Sequence, residues 1–150
     1  MSDGLTDQLE IRELTARFTD AVNRRAPREL AALFAEDGEW HVPGVPVARG
    51  REEIANLLGG LLGNFDRLIQ LTHSGHVEVD GEGATATWYL SEIAASSASG
   101  KAFTFVGVYR DQLLRTAEGW RFGQRAFDFL YRAKGDGEAR WFPHPAVAAQ

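Results

Sequence analysis

The chain of 150 residues has no cysteine, which excludes disulfides, thiolate nucleophiles and cysteine-based metal sites. It is also short of positive charge. Lys and Arg total 16 against 21 Asp and Glu, for a net charge of −5 and a pI near 5.4. A nucleic-acid partner would call for basic residues clustered on one face. No run approaches the roughly 20 apolar residues of a membrane span. The opening "MSDGLTDQLE" has acidic residues where a secretory signal needs a basic start and an apolar stretch. The expectation is therefore a cytoplasmic protein with no nucleic-acid and no membrane partner. Phosphate loop, dinucleotide fingerprint, HExxH and nucleophile elbow are all missing. His73 and His76 stand three apart in a strand-like run, and His41 and His144 lie far off in sequence. No histidine metal site is expected.

What is present suits one globular domain, because a chain of this length with 44% hydrophobic residues buries roughly 68–70% of its unfolded surface. The expected domain spans residues 1–150, with a core over about 8–132 and a tail over 133–150. After Thr6, a candidate N-cap, Ile11, Leu14, Phe18, Ala21 and Val22 recur at helical spacing to about Arg24. "RAPRELAALF" restarts a helix with Pro27 at a first helical position, and "EDG" is expected to break it. "EWHVPG" reads as a short strand, "VPVARG" as a loop, and "REEIANLLGGLL" as a third helix.

From Asp66 onward the period becomes two. Candidate strands cover 67–79, 84–95, 101–115 and 119–132, separated by the turn-like "DGEG", "SSASG" and "TAEG". Three helices followed by a four-stranded antiparallel meander predict an α+β domain, with helices across one side of a curved sheet. The space so enclosed is filled by side chains or by a ligand.

A few polar residues stand among the apolar positions and could do chemistry. Strand alternation over "LIQLTHSGHVEVDG" puts Ile69, Leu71, His73, Val77 and Val79 inward and His76 outward. An inward His73 is either a hydrogen-bonded core histidine or a general base kept neutral by burial. Arg125 shares parity with Phe127, Phe129 and Tyr131, so it is either half of a structural ion pair or a clamp for developing negative charge. Asp20 and Asn23 lie on neighbouring parts of one helix face; Asp20 suits a solvated position, and Asn23 the end of the helix. Trp40, Phe18, Trp88, Tyr89, Phe105, Tyr109, Phe127 and Phe129 form either plain core or the walls of a pocket.

The runs "IRELTARFTDAVNRRAPRELAALFAEDGEWHVPG", "GATATWYLSEI" and "GVYRDQLLRTAEGWRFGQR" resemble the SnoaL-like branch of the nuclear-transport-factor-2-like superfamily, over about residues 8–132. That group includes scytalone dehydratase, hexachlorocyclohexane dehydrochlorinase, ketosteroid isomerase and polyketide cyclases. The resemblance implies a cone-shaped, cystatin-like curved antiparallel sheet with three N-terminal helices enclosing an apolar pocket, working without a cofactor. For the dehydratase-like members it implies a catalytic His–Asp pair, an arginine on the last strand and a tryptophan after the second helix. By local motif these fall on His73, Arg125 and Trp40, while the aspartate position is occupied by Asn23. The expected function is a lyase or isomerase acting on a small apolar or aromatic cyclic molecule, with His73 removing a proton and Asn23 or Asp20 orienting it. The rivals are a natural-product cyclase and a non-catalytic binding protein, and a homodimer or homotrimer is expected.

Overall fold

A computed structural model of the protein describes residues 4–135 and 140–146. Its elements run α1 (Gly4–Asn23), α2 (Pro27–Ala31), β1 (Phe34–His41), β2 (Ala48–Arg49), α3 (Gly50–Gly63), β3 (Phe65–Asp80), β4 (Gly83–Ser96), β5 (Ala102–Thr116) and β6 (Gly119–Lys134). The strands form one curved, unclosed sheet in the order β2-β1-β6-β5-β4-β3. The expected α+β architecture is present. The sheet is mixed rather than wholly antiparallel, since β1 runs parallel to β6. Of the tail, residues 136–139 and 147–150 lie outside the described residues.

The helical spacing of Ile11, Leu14, Phe18 and Val22 gives α1 one apolar side, and all four are buried against the inner face of the sheet. Its N-terminal end is fixed by Asp7, whose carboxylate accepts two hydrogen bonds from Arg115 at 2.8 and 2.9 Å and one from the Trp120 indole at 3.0 Å. Thr6, expected as the N-cap, lies inside the helix, which begins at Gly4. The second helix stops three residues earlier than its spacing implied. Phe34 is drawn into β1 by packing: fully buried, its ring lies 5.3 Å from Phe122 and 6.3 Å from Phe18. "EDG", the expected breaker, sits within β1, where the register against β6 shifts between Phe34 and Glu39. Gly38 permits this close approach, because a Cβ there would meet the Ala35 and Phe122 carbonyl oxygens at 3.0 Å. Part of "VPVARG" pairs with β1 as the two-residue β2.

Simple alternation fails at four points in the long strands, the first at Asp66, where β3 advances two residues to one of β4. In β3, Thr72 pairs with Leu90 and Gly75 with Trp88, so β3 advances three residues where β4 advances two. This bulge reverses the faces: Leu68, Gln70 and Thr72 turn inward before it, and Gly75, Val77 and Val79 after it. In β6, one extra residue at Gly123 lets Trp120 and Phe122 share the interior with Arg125 and Phe127. A second at Leu130 turns Tyr131 outward, where it is 56% exposed.

Candidate functional site

A cavity of about 100 Å³ lies inside the curve of the sheet, bounded by Val22 at the end of α1, Trp40 in β1, and Leu58 and Leu61 from α3. Its sheet wall is mostly aromatic and aliphatic, with Phe105, Phe127 and Phe129 among its rings. Three neighbouring polar side chains interrupt that wall. Gln70 and Glu92 are directly paired positions of β3 and β4. The Gln70 amide donates to Glu92 Oε1 at 2.9 Å and to the Tyr109 hydroxyl at 3.2 Å.

Burial in this wall disfavours the charged carboxylate, so the Glu92 carboxyl is held above the usual glutamate range, and the Gln70 hydrogen bond only partly opposes that shift. Burial likewise pushes the Tyr109 phenol above its ordinary value, and the nearby Glu92 charge adds to the effect. Glu92 is thus the wall group most readily switched between donor and acceptor. Two further polar atoms of the lining residues, Trp40 Nε1 and Gln70 Oε1, are buried with no hydrogen-bond partner among the described residues.

The strand carrying Gln70 is fixed from the helix side. The Asn23 amide donates to the Gln70 main-chain carbonyl at 2.9 Å, and its side-chain oxygen accepts from the Gln70 main-chain N–H at 2.8 Å. One turn earlier, Thr19 and Thr72 join their hydroxyls at 2.7 Å. The end of α1 and the inward half of β3 are therefore pinned together beside the cavity.

His73 is not part of this site. The bulge that starts after Thr72 turns it to the outer face of the sheet, where it is exposed and its Nε2 lies 2.7 Å from Ser91 Oγ. The expectation of an inward histidine assumed unbroken alternation through residues 72–75. Ile69 and Leu71 are displaced outward for the same reason and are 40% and 46% exposed. Asp20 is exposed and paired with Arg24 at 2.8 Å, away from the cavity.

Arg125 points inward as expected, but as half of a structural pair. Its guanidinium donates to both oxygens of Asp111 at 2.8 and 3.1 Å, with both side chains at 0% exposure. It lies 3.9 Å from the Tyr109 ring, 4.2 Å from Phe122 and 4.3 Å from Phe18. Burial raises the Asp111 carboxyl and the adjoining guanidinium opposes that. Neither residue lines the cavity.

Among the other expected wall residues, Trp40, Phe105, Tyr109, Phe127 and Phe129 line the cavity. Phe18 belongs to the packed core beneath Arg125, and Trp88 is buried under the Arg12 guanidinium, 5.4 Å from its ring centre. Tyr89 sits on the outer face, 47% exposed. Sequence reasoning missed Gln70 and Glu92. A signal for Glu92 was present in "WYLSEIAA", where it shares parity with Trp88, Leu90 and Ala94 as the one carboxylate of an otherwise apolar face.

The SnoaL-like domain family matches residues 3–126. The chain belongs to that SnoaL-like family. An uncharacterized protein of Mycobacterium tuberculosis strain H37Rv is 27% identical over 123 residues, covering 81% of this chain and 84% of the relative. The crystal structure of an NTF2-like protein with a cystatin-like fold from Novosphingobium aromaticivorans is similar at 31% identity and a TM-score of 0.74, covering 90% of this chain and 86% of that one. The hexachlorocyclohexane dehydrochlorinase LinA-type3 of Novosphingobium barchaimii superposes with a TM-score of 0.86 at 18% identity, covering 93% and 97% of the two chains. At that identity the likeness concerns the fold. In this SnoaL-like chain, the β3 residue that lines the cavity and pairs with the end of α1 is Gln70, bonded to Asn23. Among the described residues no group of three His, Asp or Glu side chains is arranged to hold a metal ion. No described helix is long and apolar enough to cross a membrane.

Proposed function

We propose that this SnoaL-like protein is a cofactor-independent lyase or isomerase acting on a small, largely apolar molecule, with Glu92 rather than His73 moving the proton. The observation that carries this reading is a carboxyl group set in an apolar cavity wall and held by the Gln70 amide at 2.9 Å. A carboxyl raised by burial is a better proton acceptor when ionised and can donate once protonated. Gln70 orients it, and the cavity rings Phe105, Phe127 and Phe129 hold the substrate against it. Asn23 acts indirectly, by fixing the main chain of Gln70. Cyclisation of a long polyketide chain fits poorly, because about 100 Å³ is well below the roughly 300–1,000 Å³ of cavities that take drug-sized ligands.

The test is hydrogen–deuterium exchange in heavy water with a panel of small cyclic ketones and cyclic β-hydroxy ketones, followed by mass spectrometry. Wild-type protein should catalyse exchange or elimination for at least one member, and Glu92→Gln should lose at least about a hundredfold of that rate. Binding without any exchange would favour the second reading, a non-catalytic binding protein. That reading is supported by Asn23, which cannot ionise where the resemblance implies an aspartate, and by the outward-facing His73, which leaves the cavity without the histidine that the resemblance implies. The exposed Ile69, Leu71, Tyr89, Ile93 and Tyr131 support the homodimer or homotrimer, which light scattering in solution tests.

A further inference from the structure

We infer that Arg132, with Lys134 beside it, holds the carboxylate of an amphipathic monocarboxylic acid at the mouth of the cavity while the acid's apolar end enters it. This rests on the cavity being the ligand site proposed above, and it names the class of ligand. The surplus residue at Leu130 sets the register beyond it, so that Arg132 stands directly opposite Phe105, and Lys134 directly opposite Phe103. Directly opposite residues of an antiparallel pair share a face. Phe105 lines the cavity, so both cations belong to the inner face of the sheet. The Arg132 guanidinium lies 5.7 Å from the Phe105 ring centre and 5.6 Å from that of Phe103. Phe129 flanks the same Phe105 ring at 5.6 Å, and although it lines the cavity it is 46% exposed. The cavity therefore opens to solvent beside Arg132.

Charge selects the head group. Arg132 and Lys134 are exposed and form no ion pair among the described residues, in a chain where acidic residues outnumber basic ones by 21 to 16. Like charges on successive inward positions repel each other, and an anion at the rim offsets that repulsion. A guanidinium matches the two oxygens of a carboxylate with two parallel hydrogen bonds. Glu92 also stands directly opposite Phe105, from the β4 side, so Glu92, Phe105 and Arg132 form one row across three strands. With neighbouring strands about 4.8 Å apart, the two ends of that row are roughly 10 Å apart at the backbone. A ligand lying across Phe105 thus reaches both. A second negative charge on it would meet the Glu92 carboxyl, which favours a single carboxylate. Size agrees with this placement: an engineered cavity of about 150 Å³ takes one benzene, whereas this one of about 100 Å³ encloses only a few carbons and leaves the rest of a ligand at the mouth.

Wild-type protein is titrated with pentanoate, 1-pentanol and pentylammonium while the arginine Nε–H signals are followed by NMR, with Arg132→Gln used to assign the Arg132 signal. Pentanoate should bind at least about fivefold more tightly than pentanol and shift the Arg132 signal, and pentylammonium should bind most weakly. The advantage of pentanoate should fade in about 1 M salt, where the screening length is about 3 Å. In the double variant Arg132→Gln, Lys134→Gln, which alters only exposed side chains, the pentanoate-to-pentanol ratio should fall to about one with pentanol binding unchanged. Equal affinity of pentanoate and pentanol for wild type would overturn the inference. So would a pentanoate preference that survives in the double variant, or failure of all three to bind. Each of these results leaves proton transfer by Glu92 standing if heavy-water exchange with the cyclic ketones is lost in Glu92→Gln.

Discussion

Asn23 satisfies both main-chain groups of Gln70 with one side chain, donating to its carbonyl at 2.9 Å and accepting from its N–H at 2.8 Å. An amide can do this and a carboxylate cannot, because an ionised Asp has two acceptors and no donor. Asn23→Asp would set a carboxylate oxygen against the Gln70 carbonyl. The expected result is a loss of about 1–3 kcal/mol at pH 7. The loss should shrink as the pH falls and the new carboxyl takes up a proton it can donate. Urea unfolding at pH 7 and pH 4 checks both statements.

Glu92 makes stability itself depend on pH. Its folded carboxyl is raised above the ordinary glutamate value of about 4.3, so between the two values the native state binds more protons than the unfolded chain. Stability is then greatest below the ordinary value and falls as pH rises through the raised one. Glu92→Gln keeps an acceptor for the Gln70 amide and removes the titration. That variant should be more stable than wild type at pH 8 and equal to it near pH 4, as read by thermal unfolding across that range.

The Asp111–Arg125 pair should be unforgiving of a half deletion. With both side chains fully buried, Asp111→Ala leaves a guanidinium without its carboxylate among three aromatic rings. A loss of about 3–5 kcal/mol is expected. The double variant Asp111→Leu, Arg125→Met should recover a substantial part of it. Denaturant midpoints of the two variants test the prediction.

His73 offers the opposite expectation. Exposed on the outer face with Ser91 as its partner, it should be replaceable by Ala with a stability change within about 0.5 kcal/mol. Heavy-water exchange at the cavity should be unchanged, by mass spectrometry of wild type and variant with the same cyclic ketones.

Gly75 is the residue on which the bulge depends. A Cβ at that position would stand 2.3 Å from the Thr87 carbonyl oxygen and 2.5 Å from the Trp88 ring, so β3 and β4 could not keep their present approach. Gly75→Ala should cost about 3 kcal/mol. Differential scanning calorimetry measures it.

Much of this molecule could be read from residue order. The apolar spacing of α1 and α3 and the turn compositions between β3, β4, β5 and β6 each predicted the element found there. The site was less legible, for a definite reason. Alternation assigns faces only while a strand stays in register, and β3 breaks register between Thr72 and Gly75, just where His73 stands. Every inward assignment on one side of that point was inverted. Gln70 was hidden by the same error, since unbroken alternation counts it as a solvent-facing residue. The loss of α2 beyond Ala31 has another origin. Phe34 fits a helical stripe locally, but contact with Phe18 and Phe122 outweighs local preference, and neither ring is visible from the neighbourhood in sequence.

The break in β3 divides that strand into two stretches with different tasks. Residues 65–72 supply cavity wall, residues 75–80 supply core, and the loop of backbone between them lets each be rewritten without inverting the other. A lineage carrying this bulge could exchange the chemistry facing its ligand while its folding determinants stay untouched. Diversity of activity on one scaffold would then begin with a single surplus residue.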